Sequence, residues 1–192
     1  MDYSMLVNKQ NPLDSSFEPQ ELVVYPEYNG PKIDPNHKTL VEATTLNAFY
    51  EMQAAAMKEQ GYHIIVDSAY RSYAYQQKVL ERNLAEKGES AYSFVALPGT
   101  SEHQSGLAID VALYIDGEYT DQFDDTFPQI QWLFNNAHRF GFILRYPKGA
   151  EHITGYKYEC WHFRYVGKEI ALDMYDNNIR TFEEYHTLLK RK

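Results

Sequence analysis

The chain has 192 residues, of which 44% are hydrophobic, 15% aromatic and 23% charged, a balance that supports a buried core and excludes disorder and low complexity. Lys and Arg number 18 against 27 Asp and Glu, a net charge of −9, so the long-range field repels phosphate backbones and excludes nucleic acid as a partner. The single cysteine, Cys160, excludes an internal disulfide and any metal site built from several thiolates.

The length, with no linker-like stretch, predicts one domain over residues 1–192. Residues 1–9 have neither a basic start nor an apolar run, and no window approaches the ~18 apolar residues of a membrane span, so no membrane segment is expected. The leaderless start predicts a cytoplasmic protein, the alternative being the extracytoplasmic domain of a longer, anchored one. The oligomeric state is not legible. Pro12, Pro19, Pro26, Pro31 and Pro35 make residues 1–37 an extended arm packed on the domain.

From Thr39 to Gln60, Leu46, Phe49, Ala56 and Met57 recur at helical spacing, with Gly61 as the stop. Residues 62–66, with β-branched Ile64, Ile65 and Val66, predict a strand that delivers Ser68, Tyr70 and Arg71 at its end. Ser72 caps a second helix, Tyr73 to Lys87, with Val79, Leu80 and Leu84 inward and Gly88 after it. Leu107, Ile109, Val111 and Leu113 then alternate with Ala108, Asp110 and Ala112, which sets Asp110 on the opposite face of a strand from the aliphatic residues. The acidic run 116–125 predicts a solvated hairpin or loop. A third helix starts at Pro128, carries Ile130, Leu133, Phe134 and Ala137, and stops at Gly141. Residues 142–146 form a strand. In 161–166, Trp161, Phe163 and Tyr165 face away from His162 and Arg164, and Thr181 with Glu184 forms a capping box for a helix of about ten residues. Mixed helices and strands without a βαβ repeat predict an α+β fold with a mainly antiparallel central sheet.

A mononuclear zinc hydrolase needs three His or carboxylate ligands, an open position for water and a nearby carboxylate to take its proton. His103, Asp110 and His162 can supply the ligands and Glu159 the base. Three of the four have a plain alternative: His162 as a hydrogen-bonded core histidine, Asp110 in a structural ion pair, Glu159 as a surface glutamate. Arg71, between a strand and a helix, can pair with a carboxylate of the protein or grip one on a substrate. Cys160 reads as a buried filler rather than a nucleophile, His37, His63, His138, His152 and His186 as structural or exposed, and the tyrosines as core residues, a few of them lining a peptide groove.

Residues 68–72 (SAYRS), 101–110 (SEHQSGLAID) and 159–167 (ECWHFRYVG), with 6–13 and 141–147, resemble the zinc D-alanyl-D-alanine carboxypeptidases of the VanY and VanXY type, in order along nearly the whole chain. The resemblance implies an α+β fold with a central antiparallel sheet and one Zn2+ held by His103, Asp110 and His162. It implies that Glu159 activates the attacking water and protonates the leaving amine, that Arg71 holds the oxyanion or the terminal carboxylate, and that Gln76 and Ser101 contact substrate. The implied partners are peptidoglycan stem peptides or precursors ending in D-alanine, with vancomycin resistance as a setting. Two alternatives are an L,D-carboxypeptidase acting on tetrapeptide stems and a non-catalytic peptidoglycan-binding zinc module; Glu159 together with Arg71 argues against the second. Dipeptide cleavage in this family calls for an acidic residue at the strand end. Ser68 stands there, and Asp67, one position earlier, is expected on the other face, which favours peptidyl substrates.

Overall fold

The computed structural model describes residues 1–27 and 38–189. Chain order is β1 (Leu22–Val24), β2 (Leu40–Glu42), α1 (Ala43–Gln60), β3 (His63–Ser68), α2 (Tyr73–Lys87), β4 (Ala108–Ile115), β5 (Glu118–Thr120), α3 (Pro128–Asn136), β6 (Phe142–Tyr146), α4 (Glu151–Thr154), β7 (Glu159–Tyr165), α5 (Lys168–Asp176) and α6 (Phe182–Leu189). The main sheet runs β3-β4-β7-β6 with β5 also on β4, and every pairing is antiparallel. The α+β architecture is the one expected.

Local signals are realised where they were read. The Ser72 hydroxyl accepts from the Tyr75 amide and opens α2 at Tyr73, and Gly61 ends α1 in the left-handed conformation. Thr181 and Glu184 cap one another reciprocally, the Thr181 amide donating to the Glu184 carboxylate at 3.0 Å and the Glu184 amide to Thr181 Oγ1 at 3.2 Å. The acidic run is a hairpin, with β5 folded back on β4.

Three expectations needed correction. The first helix begins at Ala43 rather than Thr39, because residues 40–42 pair with β1 and the Glu42 carboxylate caps the helix by accepting from Thr45 N at 2.8 Å. The short strand β1 inside the arm and the helix α5 were not anticipated. Of the arm, residues 28–37, with Pro31, Pro35 and His37, lie outside the described residues.

What is described of the arm packs on the turn leading into β4. Gln104 Nε2 donates to the carbonyls of Asp14 and Phe17, and Leu13 N to Gly99 O. Gly106 adopts φ +72°, and a Cβ there would sit 2.9 Å from Pro19 Cγ and 3.2 Å from Glu42 Cβ. Only glycine combines that turn with so close an approach of the arm.

One face of the sheet carries Ile109 and Phe163, which are cross-strand partners, and meets α3 through Phe134, whose ring centroid is 6.4 Å from that of Phe163. The core continues through Phe49, Met52 and Ala56 of α1 and Ile130 and Leu133 of α3. A second cluster joins Ile143 and Val166 to Met174 of α5 and Phe182 and Tyr185 of α6. The registers Ser68↔Asp110 and Asp110↔His162 bring three polar side chains abreast on the face opposite Phe163, at one end of the sheet.

Candidate active site

That end of the sheet floors a cavity of about 360 Å³ lined by Arg71, Gln76, Ser101, His103, Asp110, Tyr146, Tyr156, Glu159, Trp161 and His162, among others. Every site residue singled out in the sequence therefore borders one space.

His103 sits on a 3-10 turn, residues 102–105, between the Ser101 loop and β4. Its Nδ1 lies 2.6 Å from Ala69 O, so that nitrogen carries the proton and Nε2 offers its lone pair 3.2 Å from Asp110 Oδ2. His162 turns Nδ1 to Asp110 Oδ1 at 2.8 Å. One ligand atom from each of His103, Asp110 and His162 lies within 4.8 Å of the other two. Two imidazole nitrogens and one carboxylate are the donor set of a catalytic zinc site, with three protein ligands and a position left open. The three residues fit such an ion.

Arg71 is fixed rather than free. Its Nε donates to Ser68 Oγ at 3.1 Å, one terminal nitrogen to Gln76 Oε1 at 3.2 Å and the other to Asp110 Oδ2 at 2.8 Å, with His103 Nε2 2.9 Å away. Gln76 is held in turn, its Nε2 donating to Ala96 O. Glu159 Oε2 lies 3.7 Å from His162 Nδ1. Burial pushes the Glu159 carboxyl up to about 7 against the pull of His162, with Asp110 adding to the rise. Burial and the Arg71 cation hold His103 down to about 4, as a neutral ring. Burial alone would also lower His162, yet the carboxylates of Asp110 and Glu102 raise it to about 9. A carboxyl group poised near neutral pH thus stands beside the three donor atoms.

Several neighbours were not singled out from sequence. Tyr146 is buried and its ring packs 4.8 Å from that of His162. Trp161 departs from the expected aromatic face. Pairing slips between Leu144↔Phe163 and Tyr146↔Glu159, and Trp161 is left 39% exposed at the rim of the cavity. A similar slip between Val66 and Ser68 breaks the alternation expected for Asp67. Its carboxylate accepts from the Tyr119 hydroxyl at 2.5 Å and borders a hollow shared with Asp110 and Trp161. Cys160 is buried, as expected of a filler, and burial pushes its thiol up to about 11. His63 stacks on Tyr114 and His138 on Tyr175, away from the cavity. Among the described residues, no helix is long and apolar enough to cross a membrane.

Residues 38–168 match the family model VanY, D-alanyl-D-alanine carboxypeptidase. The chain is 41% identical over 97% of its length to a Bacillus subtilis protein named as a carboxypeptidase, YodJ, and 37% identical over 98% of its length to the bifunctional D-Ala-D-Ala dipeptidase and carboxypeptidase VanXYC of Enterococcus gallinarum, covering 96% of that protein. It spans 67% of YodJ and 64% of a D-alanyl-D-alanine carboxypeptidase of Enterococcus faecalis. Among solved structures, the LD-carboxypeptidase LdcB superposes with a TM-score of 0.82 at 40% identity, over 95% of this chain and 84% of that one. The vancomycin-resistance D,D-pentapeptidase VanY in complex with Zn(II) superposes with a TM-score of 0.78 at 32% identity, over 96% and 99%.

Proposed function

Since the chain belongs to the VanY family of D-alanyl-D-alanine carboxypeptidases, we propose that it removes the C-terminal D-alanine from peptidoglycan stem peptides or their precursors, as a zinc metallo-carboxypeptidase. The observation that carries this reading is Glu159, raised to about 7 and set against the donor atoms of His103, Asp110 and His162 in a cavity that also holds Arg71. In this proposal those three residues hold the ion. Zinc, when bound, supplies a Lewis acid that polarises the scissile carbonyl and makes water acidic near neutral pH.

The protein's own groups do the rest. Glu159 takes the proton of the attacking water and returns it to the departing amine of D-alanine, a shuttle suited to a carboxyl whose pKa lies near the working pH. Arg71, held by Ser68, Gln76 and Asp110, presents a preoriented cation to the developing oxyanion or to the terminal carboxylate of the substrate. Gln76 and Ser101, on the wall of the same cavity, contact the substrate beside it.

The likeness to LdcB favours a second reading, L,D-carboxypeptidase action on tetrapeptide stems. The deciding experiment incubates zinc-loaded protein with D-alanyl-D-alanine, pentapeptide stem and tetrapeptide stem, with and without chelator, and follows alanine release by mass. Chelator-sensitive loss of one alanine from pentapeptide is expected. Release from tetrapeptide alone selects the second reading, added cleavage of the dipeptide marks a bifunctional enzyme like VanXYC, and no release from any of the three overturns the proposal.

A further inference from the structure

Behind His162, on the side away from the cavity, lies a carboxylate that the proposed chemistry does not use. Glu102 has no exposed side-chain surface, and one oxygen, Oε1, accepts from both Arg145 Nε at 2.8 Å and Arg164 NH1 at 2.9 Å. Its other oxygen, Oε2, has no hydrogen-bond partner and is aimed at His162 Nε2, 3.6 Å away, which is itself buried and has none. Two orphaned polar atoms thus face each other, a donor site on an imidazole and an acceptor on a carboxylate.

We propose that Glu102 is a positioning residue for His162, fixing the ring's orientation and its tautomer so that Nδ1 is the atom offered to the metal. This rests on the metal-site reading above. To bind through Nδ1 the ring must be neutral with its one proton on Nε2, and Glu102 Oε2 is the acceptor that faces that nitrogen. The reverse tautomer would set a bare nitrogen lone pair against a carboxylate oxygen. The two arginines serve this purpose as well as their own neutralisation. By occupying Oε1 they leave Oε2 as the face turned to His162 and keep the group an acceptor only. His103 is served by a different device, the Ala69 carbonyl, so each imidazole has its own partner on the side opposite the donor atom.

Glu102→Gln tests this because it keeps the shape and reverses one end. Arg145 and Arg164 demand an acceptor, so the glutamine oxygen faces them and its NH2 faces His162 Nε2. That nitrogen must then accept, and the ring proton moves to Nδ1. Zinc affinity is measured by chelator competition for the wild type, E102Q and His162→Ala, with circular dichroism on each. E102Q is expected to bind zinc about 10- to 100-fold more weakly. In the zinc-loaded wild type, ¹⁵N-edited spectra of His162 are expected to show a protected Nε2–H, a readout that does not depend on E102Q folding. Wild-type affinity in a folded E102Q, or coordination of His162 through Nε2, would overturn the role of Glu102. If His162→Ala itself keeps wild-type zinc affinity, the metal-site reading fails instead.

Discussion

On one side of His162, Asp110, Glu159 and Arg71 open onto a cavity; on the other, Glu102 is sealed in with Arg145, Arg164 and Glu183. Both are clusters of buried charge, but they are balanced differently. In the sealed cluster two carboxylates meet two guanidiniums at 2.7–2.9 Å, Arg145 gripping Glu183 with both terminal nitrogens, while Arg164 also donates to the Met5 carbonyl. At the cavity, Glu159 is raised to about 7 and His103 lowered to about 4, both toward the neutral form, whereas in the sealed cluster pairing holds Glu102 well below the usual carboxylate range and Arg145 above the usual guanidinium one, toward the charged form. Pairing keeps Glu102 and Arg145 charged, and incomplete pairing at the cavity leaves Glu159 and His103 near neutrality, where protons can move.

The largest expected effect lies at the cavity. Glu159→Ala should lower kcat about 10²- to 10⁴-fold while zinc content and unfolding midpoint stay near the wild-type values, since Glu159 is outside the donor set. Alanine release and metal analysis check this, and loss of zinc would break the comparison. Next comes the sealed side. Arg145→Ala leaves Glu102 and Glu183 short of their shared partner and should cost about 3–5 kcal/mol in urea unfolding. Normal stability with activity lost would put Arg145 in the chemistry and erase the distinction.

The smallest effect sharpens the boundary between the two. Burial, against the hydrogen bond from Tyr119, raises the Asp67 carboxyl to about 6. A folded-state pKa above the unfolded value means that this group stabilises the fold below about pH 3.8 and that the contribution is lost as pH rises through about 6. Asp67→Asn mimics the protonated form, so it should stabilise the protein by about 1 kcal/mol at pH 7, after allowance for partial exposure, and by nothing at pH 3.5. Thermal unfolding at the two pH values measures it.

What was legible in the sequence was local. Ser72, Gly61 and the Thr181–Glu184 box declare helix ends because the groups they satisfy are three to five residues away, and period-two alternation alone sets Asp110 and His162 on the faces opposite their aliphatic and aromatic neighbours. Glu102 stood inside the most informative motif and still carried no signal, since Arg145 and Arg164 lie 43 and 62 residues further on. Trp161 and Asp67 escaped for another reason. Both stand at slips in strand pairing, where alternation ceases to predict a face. The helix α5 follows Gly167 with no side-chain cap to announce it.

The bidentate grip of Glu183 on Arg145 also ties α6 to the wall behind His162. Without α6, Arg145 and Arg164 would share the single carboxylate of Glu102 in the interior. The charge behind His162 is therefore balanced only when α6 is docked.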